Sequence, residues 1–108
     1  MIKVGTISVG GGSPLVLIAG PCVVEDRDMI LRTAAGIMNA AAAADIRVIF
    51  KSSYKKANRT SGTSFRGLDM DQGLAILAEV RRETGMPVLT DVHSEAEVAA
   101  ASQAVDVL

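Results

Sequence analysis

Aromatic side chains are scarce in this chain of 108 residues, which holds two Phe, one Tyr and no Trp. That argues against an aromatic-centred β-sandwich. It also removes the stacking platform on which single-stranded nucleic acid is held. Cysteine occurs once, so an internal disulfide framework is excluded and a reducing cytosol is the simplest setting. With one His, no His/Cys cluster of zinc-finger spacing can form. No apolar run approaches a membrane span, and the N-terminus lacks a charged region followed by a signal-like apolar core. The formal net charge is −1, so a broad basic footprint for nucleic acid is missing too. Neither a phosphate loop of the Gly-x-x-x-x-Gly-Lys type nor a dinucleotide glycine fingerprint is present.

What is there is aliphatic. Hydrophobic residues make up 49%, mostly Ala, Val, Ile and Leu, enough for the core of one modest domain with helices layered on a sheet. Ile2 and Val4, then Ile7 and Val9, alternate with polar neighbours around Gly5-Thr6, which predicts a hairpin over 1–12 ending in a Gly10-Gly11-Gly12 linker. Leu15–Ala19 is a continuous apolar run between Pro14 and Gly20-Pro21 and predicts a fully buried strand. Apolar residues at three- and four-residue steps (Ile30, Leu31, Ala34, Ile37, Met38, Ala41) predict a helix over Asp28–Ala44. Arg47–Lys51 is a second strand. Met70, Leu74, Leu77 and Val80 line a helix over Asp71–Thr84, which Gly85 and Pro87 terminate. Val88–Asp91 is a third strand. Ser94-Glu95-Ala96-Glu97 has the form of a capping box for a helix to about Ser102, and Val105–Leu108 reads as a fourth strand. The order predicts a parallel sheet with helices on its outside and right-handed crossovers.

Charge is distributed unevenly. Lys51, Lys55, Lys56, Arg59 and Arg66 fall in one stretch without an acidic residue. With these five of the 11 basic residues set aside, 6 basic face 12 acidic. Such a cationic segment is either a solvated face or an anion-binding loop, with Ser and Thr hydroxyls as added donors. Position favours the second reading. Cys22 follows the first buried strand, Lys51 to Arg59 follow the second, and Asp91 and His93 follow the third. The opposite ends hold turn residues: Pro14, Asp45, and Gly85 with Pro87. Sites in parallel α/β proteins form at the carboxyl ends of strands. Each residue also has a plainer reading: Cys22 as an inert small hydrophobe, Asp91 as a turn cap, His93 as a loop residue, Lys51 as a strand-end charge.

Ala19-Gly20-Pro21-Cys22, Phe50-Lys51, Lys56-Ala57-Asn58-Arg59-Thr60-Ser61, Ser64-Phe65-Arg66-Gly67 and Thr90-Asp91-Val92-His93 occur in that order. Together they resemble the N-terminal part of the 3-deoxy-D-manno-octulosonate 8-phosphate synthases, over essentially the whole chain. The related 3-deoxy-arabino-heptulosonate 7-phosphate synthases have Lys-Pro-Arg-Thr in the loop, and Asn58 favours the eight-carbon family. The resemblance implies an aldolase-like (β/α)8 TIM barrel behind a small hairpin. About three β/α units and a fourth strand are present, so residues 15–108 would be an incomplete barrel, inactive alone.

The activity implied is condensation of phosphoenolpyruvate with arabinose 5-phosphate and water, releasing phosphate, for lipopolysaccharide synthesis. Lys51, Ser53 and Lys56 would hold phosphoenolpyruvate, chiefly its carboxylate. Asn58 and Asp91 would meet the sugar hydroxyls, and Arg59 and Thr60 the sugar phosphate. Lys51, Lys56, Asn58 and Asp91 would be the catalytic set. Cys22 would ligate a divalent metal whose other ligands lie downstream, and His93 would have a supporting role. A homotetramer, with no nucleic acid or membrane partner, is also implied. Three features depart from the family: Thr63 where His is common, Leu68-Asp69 where Pro-Gly is common, and Lys55 where an acidic residue is frequent. The seven-carbon synthase and a non-catalytic α/β module that binds small anions are the competing readings.

Overall fold

The computed structural model describes residues 1–55 and 68–108. Lys56, Asn58, Arg59, Thr60 and Thr63 lie outside the described residues.

β1 (Ile2–Val4) and β2 (Ile7–Val9) form the expected antiparallel hairpin, with Ile2 opposite Val9 and Val4 opposite Ile7. Gly5 takes φ +58° while Thr6 stays at negative φ, as a turn with glycine first requires. The main sheet is parallel, in the order β3 (Val16–Ala19), β4 (Arg47–Lys51), β5 (Val88–Leu89). Strands adjacent in sequence are adjacent in space, and each crossover carries a helix.

The first crossover is α1 (Arg27–Ala44). Its N-cap is Asp26, whose carboxylate accepts from the Met29 backbone N–H at 2.9 Å, so the helix starts one residue before the predicted Asp28. The second is α2 (Met70–Thr84). Asp69 accepts from Gln72 N–H at 2.8 Å, and the Gln72 side chain accepts from Asp69 N–H at 3.1 Å, a complete capping box. Gly85 closes α2 in the left-handed region at φ +75°. The guanidinium of Arg27 forks onto the Glu79 carboxylate and ties the start of α1 to α2. α1 packs on α2, and α2 on α3 (Val98–Ala104). Phe50, Ile30, Ala34, Leu77, Val80 and Val88 are wholly or almost wholly buried between sheet and helices.

Three expectations change. The Leu15–Ala19 strand is not fully buried: Leu15 is 87%, Leu17 45% and Ile18 54% exposed. The cause is that β3 has β4 on one side and no described strand on the other. The fourth strand reduces to one bridge between Leu89 and Val107, held by Val107 N–H to Val88 O and Thr90 N–H to Val107 O, both 3.1 Å. The Ser94 capping box does not form. Glu95–Glu97 is a 3₁₀ turn with no side-chain cap, because the Glu97 carboxylate is taken elsewhere.

Candidate active site

The carboxyl ends of β3, β4 and β5 are drawn together by a local fault in the ladder. Ala19 pairs with Phe50, and the next pairing is Val23 with Ser53. Gly20, Pro21 and Cys22 therefore face only Lys51 and Ser52, a one-residue bulge of the kind that re-aims side chains beside sites. Gly20 makes it possible: a Cβ there would lie 1.9 Å from the Lys51 carbonyl oxygen. Beyond the bulge the strands are stitched again. Ser53 N–H donates to Cys22 O at 3.0 Å and Val24 N–H to Ser53 O at 2.9 Å. Cys22 is thereby fixed beside Ser53 with its thiol exposed.

Ser53 is buried, and its hydroxyl donates to Asp91 Oδ1 across to the end of β5. Asp91 Oδ2 stands 3.5 Å from His93 Nε2. Burial alone would push the Asp91 carboxyl up. The Ser53 hydroxyl, its own backbone N–H and the charges of His93 and Lys51 outweigh that and hold it below the usual carboxylate value. Asp91 is therefore an anion at neutral pH, able to accept from hydroxyls. Lys51, half-buried at the end of β4, is the cation of this row. Thr90, wholly buried, donates from its hydroxyl to Ser52 O at 2.8 Å and locks β4 to β5 at the same level.

Of the expected site residues, Cys22, Lys51, Ser53 and Asp91 are thus brought to the carboxyl end of the sheet, with His93 beside them. Lys56, Asn58, Arg59 and Thr60 lie outside the described residues. Sequence reasoning missed Tyr54, Glu97 and Gly73. By sequence Tyr54 falls inside the cationic segment, yet it is 0% exposed. Its hydroxyl donates to Glu97 Oε1 and accepts from His93 N–H at 3.2 Å. Its ring meets the His93 ring edge-on, centroids 5.2 Å apart. Burial, then the Glu97 hydrogen bond, push the phenol up to about 12. Lys55 and, next, Tyr54 donate to Glu97 and hold its carboxyl low. Gly73 lets α2 approach this corner, since a Cβ there would lie 2.6 Å from the Tyr54 carbonyl oxygen. A lone tyrosine among charges was the available signal for Tyr54.

The sequence matches the model of the DAHP synthetase I family over residues 1–108. The chain belongs to the DAHP synthetase I family. It is 54% identical over 107 residues to a 2-dehydro-3-deoxyphosphooctonate aldolase of Polaromonas naphthalenivorans, covering 99% of this chain and 38% of that protein. Proteins of the same name from Paraburkholderia xenovorans (52% over 107 residues, 99% and 38%) and Syntrophobacter fumaroxidans (57% over 98 residues, 91% and 34%) are also similar. The chain thus spans well under half the length of these relatives.

Two departures from the expected family pattern have a local account. Asp69 is the N-cap of α2, and the Lys55 ammonium lies 2.6 Å from Glu97 Oε2. Among the described residues no three His, Cys, Asp or Glu are grouped to hold a metal ion. Cys22 offers one soft, accessible donor, which fits a single position of a metal site and not a whole one. No described helix is long and apolar enough to cross a membrane.

Proposed function

We propose that this member of the DAHP synthetase I family supplies the anion-binding side of a synthase that condenses phosphoenolpyruvate with arabinose 5-phosphate. The observation that carries the reading is the convergence of Cys22, Lys51, Ser53 and Asp91 at one end of three consecutive parallel strands. It occurs in a chain 50–57% identical to proteins named 2-dehydro-3-deoxyphosphooctonate aldolase. The site would be part of a (β/α)8 barrel, for which the sequential parallel order is the beginning.

In the reaction, C3 of phosphoenolpyruvate bonds to the aldehyde carbon, whose oxygen takes a proton, water adds at C2, and the C2–O bond to phosphate breaks, leaving a ketone at C2 and free phosphate. Two anionic substrates repel, so cations must flank them. Lys51 and Lys56 would hold the phosphoenolpyruvate carboxylate with Ser53. Arg59 and Thr60 would bind the sugar phosphate, Arg59 by a forked contact. Asp91, kept ionised, would accept from a sugar hydroxyl and orient the aldehyde together with Asn58. A divalent ion taking Cys22 as one thiolate ligand, with donors from outside this chain, would polarise the aldehyde or the water.

The family model covers heptulosonate synthases by its name, so erythrose 4-phosphate is the second candidate sugar. A hybrid in which this chain replaces the matching 107 residues of the Polaromonas relative tests both. Phosphate release with arabinose 5-phosphate, lost on EDTA treatment and restored by a divalent ion, is expected. Release with erythrose 4-phosphate alone moves the assignment to the seven-carbon synthase. Release that survives EDTA removes Cys22 from the metal, and a folded hybrid that releases no phosphate refutes the proposal.

A further inference from the structure

We propose that Glu97 is a positioning residue for the anion-facing row: it holds Tyr54, and Tyr54 holds His93 beside Asp91. The inference rests on the preceding reading only in taking that row to face substrate. Glu97 stands in the 3₁₀ turn before α3, 43 residues from Tyr54 in sequence. Its two carboxylate oxygens are divided between two donors, the Tyr54 hydroxyl and the Lys55 ammonium. Its side chain is only 15% exposed and Tyr54 is buried, so the Tyr54 contact is not readily replaced by water, while Lys55, 41% exposed, is the more solvated partner. Tyr54 is buried completely, and its oxygen uses both capacities, donating to Glu97 and accepting from His93 N–H. The edge-on contact of the two rings then sets the plane of the imidazole. His93 Nε2 faces Asp91 Oδ2, and Asp91 Oδ1 takes the Ser53 hydroxyl. A continuous line of contacts therefore runs from Glu97 to the end of β4. Lys55 belongs to the cationic segment, so Glu97 also holds one of its charges.

The chain has one His, so its imidazole Hε1 resonance reports His93 alone. Glu97→Ala and Tyr54→Phe are expected to shift that resonance in the same direction. Tyr54→Phe keeps the ring, so its shift reports the lost hydroxyl tie. The double variant should move it no further than either single one, because both cut the same line. Glu97→Gln retains an acceptor and should restore most of the parent position, and Glu95→Ala should leave the resonance in place. Should Glu97→Ala not fold, Glu97→Asp, one methylene short of both donors, replaces it. An unmoved resonance, or shifts that add in the double variant, overturns the proposal.

In the hybrid enzyme Glu97→Ala should raise the KM for arabinose 5-phosphate, the substrate assigned to Asp91, about tenfold with a smaller change in kcat, since it misplaces a binding group. An unchanged KM beside a shifted His93 overturns the functional part. A parent hybrid without activity refutes the proposed function instead, and the His93 resonance then decides the role of Glu97 alone.

Discussion

Replacing Gly20, Gly36 and Gly73 by alanine, one at a time, adds the same methyl group in three settings, and the structure assigns each a different result. Gly36 is exposed in the interior of α1 with nothing within 4 Å of a built Cβ. Its replacement gains helix propensity and stabilises by about 0.5–1 kcal/mol. Gly73 gains the same propensity, but its Cβ meets Tyr54 O at 2.6 Å and Tyr54 Cα at 3.2 Å, both backbone atoms that cannot rotate away. Overpacking of this kind costs about 1–3 kcal/mol, leaving a net loss of about 1 kcal/mol.

Gly20 is the severe case. Its Cβ would stand 1.9 Å from Lys51 O and 2.8 Å from Lys51 C. An acceptable carbon–oxygen contact is about 3.3 Å, so the strands must part by about 1 Å or more. The adjacent bonds, Ser53 N–H to Cys22 O and Val24 N–H to Ser53 O, are then lost at about 0.5–1.5 kcal/mol each. With the overpacking the loss is about 3 kcal/mol. Thermal unfolding followed by far-UV circular dichroism reads all three. At about 4 °C per kcal/mol for a chain of this size, Gly36→Ala rises by a few degrees, Gly73→Ala falls by about 4 °C and Gly20→Ala by about 12 °C. A Gly20→Ala chain as stable as the parent would mean that the close approach of Gly20 to Lys51 O does not hold the bulge together.

Three further outcomes follow from the same contacts. Asp69→Ala removes the α2 cap and should cost about 1 kcal/mol in urea unfolding, whereas no change would mean the capping box carries no stability. Tyr54 is the single tyrosine, so tyrosinate absorbance reports it alone. Its pKa of about 12 lies above the ordinary 10.0, so the unfolded chain ionises first. Stability is whole below pH 10 and falls as pH rises through 12, by roughly 3 kcal/mol in all; a midpoint of 10 in the folded chain would contradict the burial of this phenol. In the hybrid enzyme Lys51→Ala should lower kcat/KM for phosphoenolpyruvate by roughly 10- to 100-fold, the worth of one charge-assisted contact, and an unchanged value would remove Lys51 from the site.

The element order was legible because apolar runs and turn residues alternate without interruption, and Gly5, Gly85 and the Ala-rich stretch of α1 fall where their backbone preferences place them. The polarity of the strand ends was legible for the same reason: reactive side chains gather at one end of three strands. Contacts between distant segments were not. Ser94-x-x-Glu97 satisfies the local pattern of a capping box, but Glu97 meets Tyr54 and Lys55, about 40 residues away, and those contacts prevail. Asp69 looked like a departure from a family pattern and is a helix cap. The Gly20 and Gly73 contacts depend on the distance between two backbones, which no local pattern encodes. The exposure of β3 likewise depends on which strand lies beside it, and its apolar composition is silent on that.

Under the proposed function, the carboxyl ends of β3, β4 and β5 form an anion site for phosphoenolpyruvate. Titrating the isotopically labelled chain with phosphoenolpyruvate, and following backbone amide resonances, tests it most directly. Saturable shifts that Lys51→Ala weakens are expected at Cys22, Lys51, Ser53, Asp91 and His93. Shifts confined to the opposite end, around Ser13, Asp45 and Gly85, or none at millimolar ligand, would contradict it.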